Sequence, residues 1–278
     1  MAKIVYIALA IALLLPGCGV ALDEPGTVEI TEATETIETT AESKQDDFRE
    51  TEGLLESGPR EEIFTKIRQA DLLEKDLENP AGELQVRCSG MMVRITAGNL
   101  VGSGVILQDD GLDILIATAG HVLDRAEGIV EIEFRDGFRV QTGEYQLAAE
   151  ADLAILRVPR NSLLEETENG SLRDHGEEYL RCAVDQDAYD GVSVGDVVIA
   201  MGSYTGVAED AYAGTMAEDY VYVQDFGAYM MLAQTPVKPG MSGGGLFDEQ
   251  GNLLGILCGV SEDGEVAAAP LIALLAML

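Results

Sequence analysis

The sequence predicts an all-β fold: two six-stranded antiparallel β-barrels, with an amphipathic helix ahead of them and a short helix at the C-terminus. Between Glu83 and about Gly259, apolar runs of about four to eight residues alternate with Gly, Asp and Asn clusters. The dipeptides Asp110-Gly111 and Asp136-Gly137 fall between such runs, as tight turns require. Evenly spaced short strands without intervening helices make a sandwich or a barrel. Roughly 180 residues is long for one sandwich and suits two barrels.

Taken from the N-terminus, residues 1–18 form a signal segment. Ile4–Leu15 carries no charge and follows Lys3. At 1.5 Å per residue that run spans ~18 Å, well short of a ~30 Å bilayer core, so it is the apolar region of a signal peptide. Leu15-Pro16-Gly17-Cys18 resembles the bacterial lipobox, in which the Cys receives diacylglycerol and becomes the new N-terminus. Lipidation at Cys18 would tether the protein to the membrane at the bacterial cell envelope. An uncleaved anchor and ordinary secretion are the alternatives.

Residues 19–58 hold 12 acidic and 2 basic residues and one aromatic, Phe48. Such a stretch cannot bury enough apolar surface to offset its chain entropy, and it is expected to be a disordered acidic stalk. In residues 59–80, Ile63, Phe64, Ile67, Ala70, Leu73 and Leu77 recur at helical spacing and Pro80 closes the run, which predicts one amphipathic helix.

Residues 81–278 are the globular body. Its expected strands are Met91–Thr96, Gly104–Leu107, Ile114–Thr118, Ile129–Phe134, Leu153–Val158, Val197–Met201, Val221–Val223, Met230–Ala233, Leu253–Cys258 and Val266–Ala269. Residues 160–187 interrupt the pattern with a polar stretch, expected to be a loop insertion with His175 at its surface. Pro270 opens an apolar helix, Leu271–Leu278.

Composition removes several functions. Fifty Asp and Glu stand against 17 Lys and Arg, a net charge of −33, which excludes sequence-independent binding to nucleic acid. Four Cys without a CxxC and two His without an HExxH argue against a zinc enzyme, and no cofactor is expected. The three body cysteines, Cys88, Cys182 and Cys258, are odd in number, and Cys258 lies in an apolar run where Cys behaves as a small hydrophobe. No required disulfide is expected; a Cys88–Cys182 bridge is the alternative.

Three islands carry chemistry: Ala117–Leu123 around His121, Glu150–Leu156 around Asp152, and Pro239–Phe247 around Ser242. Gly240, Gly243, Gly244 and Gly245 surround Ser242. Glycine permits positive φ and close backbone approach, and a nucleophilic hydroxyl needs nearby backbone N–H groups to receive an oxyanion. The string also satisfies Gly-x-Ser-x-Gly, but an α/β-hydrolase has its His after the Ser, and the last His here is His175. The order His121, Asp152, Ser242 is that of the chymotrypsin arrangement.

With those residues in view, the chain resembles the trypsin-like serine proteases, nearest the bacterial HtrA/Deg branch. Gly102-Ser103-Gly104-Val105-Ile106 resembles the strand before the catalytic His, Thr118–His121 the Thr-Ala-x-His motif, and Ala151–Leu156 the Asp-Leu-Ala-(Ile/Val)-Leu motif. Val194-Gly195-Asp196, Ala200-Met201-Gly202, Gly214-Thr215 and Asn252–Gly255 follow in the family's order, and Ala268–Leu278 resembles its closing strand and helix. The likeness covers about residues 84–278. Met241 stands where the family usually has Asn or Asp, so activation through a new N-terminus is not implied. No PDZ domain follows in this sequence.

The resemblance implies a serine endopeptidase acting on polypeptides through His121, Asp152 and Ser242. The oxyanion would be held by Gly240 and Ser242, with Met241 assisting. The pocket for the residue before the scissile bond would be walled by Thr235, Pro236, Val237 and Lys238 and by Ile256, Leu257, Cys258 and Gly259. Neither wall contains an acid, which favours a small or apolar residue there. A catalytically silent binding module and a chaperone-like holder of unfolded envelope proteins are the competing readings.

Overall fold

The protein is described here by a computed structural model over residues 64–66, 82–203 and 210–278. The signal segment with Cys18, the acidic stalk and most of the segment expected as a helix lie outside the described residues. Within them the chain forms β1 (Phe64–Lys66), α1 (Gly82–Cys88), β2 (Met92–Ala97), β3 (Leu100–Asp109), β4 (Asp113–Thr118), β5 (Val130–Glu133), β6 (Arg139–Thr142), β7 (Tyr145–Leu147) and β8 (Ala154–Pro159). There follow β9 (Leu164–Glu166), β10 (Leu172–Asp174), α2 (Gln186–Gly191), β11 (Val197–Gly202), β12 (Asp210–Val223), β13 (Ala228–Gln234), β14 (Gly245–Asp248), β15 (Leu253–Ser261), β16 (Glu265–Pro270) and α3 (Leu271–Leu275).

Two antiparallel sheets dominate. The first runs β6-β5-β2-β3-β4-β8-β7 and curls without closing. In the second, β15-β14-β11-β12-β13-β16 closes into a six-stranded barrel because β16 pairs back onto β15, and β1 is added at the edge of β15. The expectation of two six-stranded barrels thus becomes one closed barrel and one half-barrel, still the chymotrypsin-like arrangement. In β2, Val93, Ile95 and Ala97 are buried while Arg94 and Thr96 are half-buried, the alternation of a pleated strand; β4 is buried from Ile114 to Thr118 because it is central in its sheet. β3 is buried continuously from Gly102 to Leu107, because it is central in its sheet and the loop around Ser242 lies against it. The closed barrel has its own core of Val198, Ala200, Met231, Leu246, Leu257 and Val266.

Two expectations are corrected. In the 59–80 segment, Phe64–Lys66 is an edge strand, not a helix. Phe64–Lys66 has a single apolar residue, Phe64, and so no period of its own, and the edge of β15 was available to pair with. The 160–187 insert is not a plain loop. It folds as two 3-10 turns around the β9–β10 hairpin, and His175 is buried, 4% exposed. Its charges satisfy one another: Arg160 pairs with Asp174 at 2.7 Å and with Asp109, and Arg181 reaches Asp109 at 2.6 Å. Leu163 and Tyr179 anchor it, the Tyr179 ring stacking on Phe134 at 4.2 Å. Among the described residues, Cys88, Cys182 and Cys258 are in no disulfide.

Candidate active site

β4 ends at Thr118, and a single 3-10 turn over Gly120–Leu123 folds His121 inward until its side chain has no exposure. Asp152, in the loop between β7 and β8, grips that residue at two points. The His121 backbone N–H donates to Oδ1 at 2.8 Å, and ring Nδ1 lies 2.6 Å from Oδ2. An ionised carboxylate only accepts, so Nδ1 carries the hydrogen and Nε2 keeps its lone pair in the neutral ring. His121 Nε2 is buried without a hydrogen-bond partner. From β15, the Cys258 thiol lies 3.4 Å from the Asp152 carbonyl and 3.2 Å from the Ile256 carbonyl, sharing its one hydrogen between them, so the second barrel touches a loop of the first.

Ser242 lies in the loop between β13 and β14, wholly buried, and its Oγ has no partner either. No hydrogen bond joins Ser242 Oγ to His121 Nε2. The serine loop and the turn that carries His121 nevertheless both lie against β3. The Ser103 N–H donates to the Ser242 carbonyl at 2.7 Å, and the Ser103 hydroxyl donates to the Gly240 carbonyl at 2.7 Å. That hydroxyl also accepts the Ser203 N–H at 2.9 Å, and the Ser103 carbonyl accepts the Thr118 hydroxyl at 2.7 Å. A Cβ on Gly102 would stand 2.9 Å from the Ser242 carbonyl and 2.7 Å from the Val122 side chain, the residue after His121. Only glycine lets the serine loop and the histidine turn share that strand. Gly243 is needed twice over: its φ is +83°, and a Cβ there would strike Thr118 Oγ1 and the Ser103 carbonyl.

The rest of the loop is tied down. The Met241 N–H donates to the Lys238 carbonyl at 3.1 Å, so it is already committed and does not assist at an oxyanion as expected. The Met241 side chain is wholly buried in the core of the closed barrel, where its Sδ accepts the Lys238 N–H at 3.2 Å. Gly243 N–H goes to the Leu257 carbonyl and Gly244 N–H to the Met241 carbonyl. The amides of Gly240, where φ is +92°, and Ser242 take part in none of these bonds.

Of the expected wall residues, Thr235 is buried and its hydroxyl donates to the Tyr212 carbonyl at 3.1 Å; Pro236, Val237 and Lys238 are half-buried. Ile256, Leu257 and Cys258 have no exposure and Gly259 is buried. The Lys238 ammonium lies 5.2 Å from the Tyr212 ring centre and 2.9 Å from Asp210 Oδ1. Tyr212 and then Asp210 outweigh burial and hold it well above the usual lysine range. A groove of about 1170 Å³ between Leu147, Tyr222, Phe226 and Ile272 touches Asp152, but neither His121 nor Ser242 lines it.

A family model, the trypsin-like peptidase domain, matches residues 102–256, more than half of the chain. The chain belongs to this family. The matched span begins at the Gly102 that admits the serine loop and contains His121, Asp152 and Ser242. Membership makes the protein a hydrolase of the peptidase class with polypeptide substrates. No curated protein matches the chain. One residue of this trypsin-like peptidase has no role assigned from sequence: Ser103 joins β3 to the serine loop, and its signal is a polar residue between two glycines inside an apolar strand. Met241, expected to assist at the oxyanion, has its side chain in the core, and its signal is an apolar side chain where the family has a polar one.

Proposed function

We propose that this trypsin-like peptidase is a serine endopeptidase working through His121, Asp152 and Ser242. Ser242 Oγ attacks a peptide carbonyl, and His121 Nε2 takes its proton and returns it to the leaving amine. Asp152 fixes the imidazole tautomer and stabilises the imidazolium. Water then resolves the acyl-enzyme with the same base. The observation that carries this reading is the two-point grip of Asp152 on His121. It leaves Nε2 as the uncommitted ring nitrogen, on the strand framework that also holds a buried, unpartnered Ser242 Oγ. In unliganded enzymes the base–nucleophile bond is commonly loose and tightens with substrate in place.

The amides of Gly240 and Ser242 are the oxyanion donors, each worth about 3 kcal/mol in the transition state. The residue before the scissile bond is small or apolar: Asp210, the acid that reaches the Thr235–Lys238 wall, is paired with Lys238. Leu15-Pro16-Gly17-Cys18 supports a lipid anchor on Cys18 and action at the bacterial envelope, and the ordered motifs from Gly102 onward support the HtrA/Deg branch. A Cys18→Ala variant that keeps its lipid labelling would remove the anchor from this reading.

The test is digestion of a casein-type substrate by purified wild type and by Ser242→Ala of matching circular dichroism. Cleavage is expected from the wild type alone. Cleavage that survives in Ser242→Ala overturns the nucleophile; a wild type that binds the substrate without cutting it identifies a silent binding module instead.

A further inference from the structure

One edge of β15 carries three partners in succession. β14 takes Leu253–Ile256. Next comes the serine loop: Gly243 N–H donates to the Leu257 carbonyl, and Leu257 N–H donates to the Gly244 carbonyl, both at 2.8 Å. Then β1 takes Gly259–Ser261, with Lys66 opposite Gly259, Thr65 opposite Val260 and Phe64 opposite Ser261. The other edge of β15 is filled by β16. β1 therefore lies on the stretch of edge immediately beyond Ser242, and its chain runs toward the serine loop. An exposed strand edge is where an extended polypeptide gains main-chain hydrogen bonds, and this one adjoins the candidate nucleophile.

The position of β1 is fixed by more than the ladder. The Phe64 N–H donates to Asp225 Oδ2 at 2.8 Å, and the Phe64 ring meets Phe226 at 5.8 Å, tilted by 58°. Both partners come from the turn between β12 and β13. Since the Phe64 N–H points away from β15, strand alternation turns the Thr65 N–H toward Val260.

We propose that Phe64–Lys66 is a built-in blocking strand, which occupies the substrate-pairing edge beside Ser242 and keeps the peptidase closed to extended polypeptides until it is displaced. This rests on the serine endopeptidase reading above. Only the fraction of molecules with β1 released can bind such a substrate, so the apparent affinity falls by that fraction while the chemistry of Ser242 is untouched.

Thr65→Pro, in the full chain, removes the N–H that faces Val260, and Asp225→Ala removes the anchor of Phe64. Each variant is expected to raise kcat/KM on an extended peptide on the order of tenfold, through KM. A small organofluorophosphonate, which does not need the strand edge, should modify Ser242 at the same rate in all forms. Amide exchange at Val260, a readout independent of turnover, should quicken in both variants. A synthetic peptide spanning residues 61–67 should inhibit Thr65→Pro more strongly than wild type. Unchanged peptide cleavage in folded variants that take the probe normally overturns the proposal, as does unchanged exchange at Val260. Failure of the probe in every form, wild type included, instead removes the serine endopeptidase reading, and the blocking strand with it.

Discussion

The protein has two histidines, both buried, and each places Nδ1 at 2.6 Å from an aspartate: His121 on Asp152 and His175 on Asp136. They part at the other nitrogen. His175 Nε2 meets Glu165 at 3.0 Å, and its ring stacks on Phe138 at 3.9 Å, while Tyr179 and the Phe138 N–H bind Asp136. His121 Nε2 meets no hydrogen-bond partner among the described residues. A His–Asp pair is therefore not a signature of catalysis in itself. With both nitrogens committed it cross-links a hairpin to a sheet; with one left uncommitted it has the lone pair that the proposed base requires.

The largest effect that sharpens this contrast is on turnover. Asp152→Asn should cost ~10⁴ in kcat through the wrong tautomer, with the fold intact. Asp136→Asn, the same change at the other pair, should leave kcat/KM within about twofold. Peptide hydrolysis by the two variants checks both, and equal losses would break the comparison. Next in size is stability: His175→Leu leaves the part-buried Asp136 short of a partner and should lower unfolding stability by about 1–3 kcal/mol, seen as a shift of the urea midpoint at constant slope.

Acid should act on the insert side of the molecule. Burial alone raises the carboxyls of Asp136 and Asp109. It is outweighed at Asp136 by hydrogen bonds from His175, the Phe138 N–H and Tyr179, and at Asp109 by the Gly111 N–H with Arg181 and Arg160, so both are held below the usual range. A carboxyl depressed on folding contributes stability that is present above its unfolded value of ~3.9 and is lost as pH falls through the folded one. Wild type and Asp109→Asn should therefore differ in melting temperature at neutral pH and converge as the pH falls below the ordinary carboxylate range. A constant difference across that range would contradict the assignment. Smallest of all, Lys238→Met breaks a partly exposed pair and should change stability by less than ~1 kcal/mol, while cleavage after basic residues rises a little as Asp210 is uncovered. Substrate profiling and thermal melts read the two effects.

The fold and the site were legible in the sequence to different depths. Continuous apolar runs such as Ile114–Thr118 and Leu253–Cys258, short and bounded by turn residues, appear as strands because both of their faces are buried. Short edge strands, Arg139–Thr142 and Tyr145–Leu147, were not visible: half their residues face solvent and three or four residues give no period. His175 was misplaced because charge in Arg173-Asp174-His175-Gly176-Glu177 suggested solvent, whereas Arg173 pairs with Glu178 and Asp174 with Arg160. Charges that neutralise one another leave no trace in composition. His121, Asp152 and Ser242 stand out by order and neighbours, whereas the contacts that hold His121 to Asp152 and tie the serine loop to β3, those of Ser103 above all, are announced by no local pattern. β1 is hidden from the sequence because it lies in a run of helical spacing, has one apolar residue of its own, Phe64, and pairs with an edge far away in sequence.

The most direct test sets the two histidines against each other at the serine. Wild type, His121→Ala and His175→Ala are treated with an organofluorophosphonate, and the modified peptide containing Ser242 is quantified by mass. If Nε2 of His121 is the base, wild type and folded His175→Ala are modified at Ser242 at similar rates and His121→Ala is not. Modification of Ser242 that persists in His121→Ala, or that disappears in folded His175→Ala, would contradict the account.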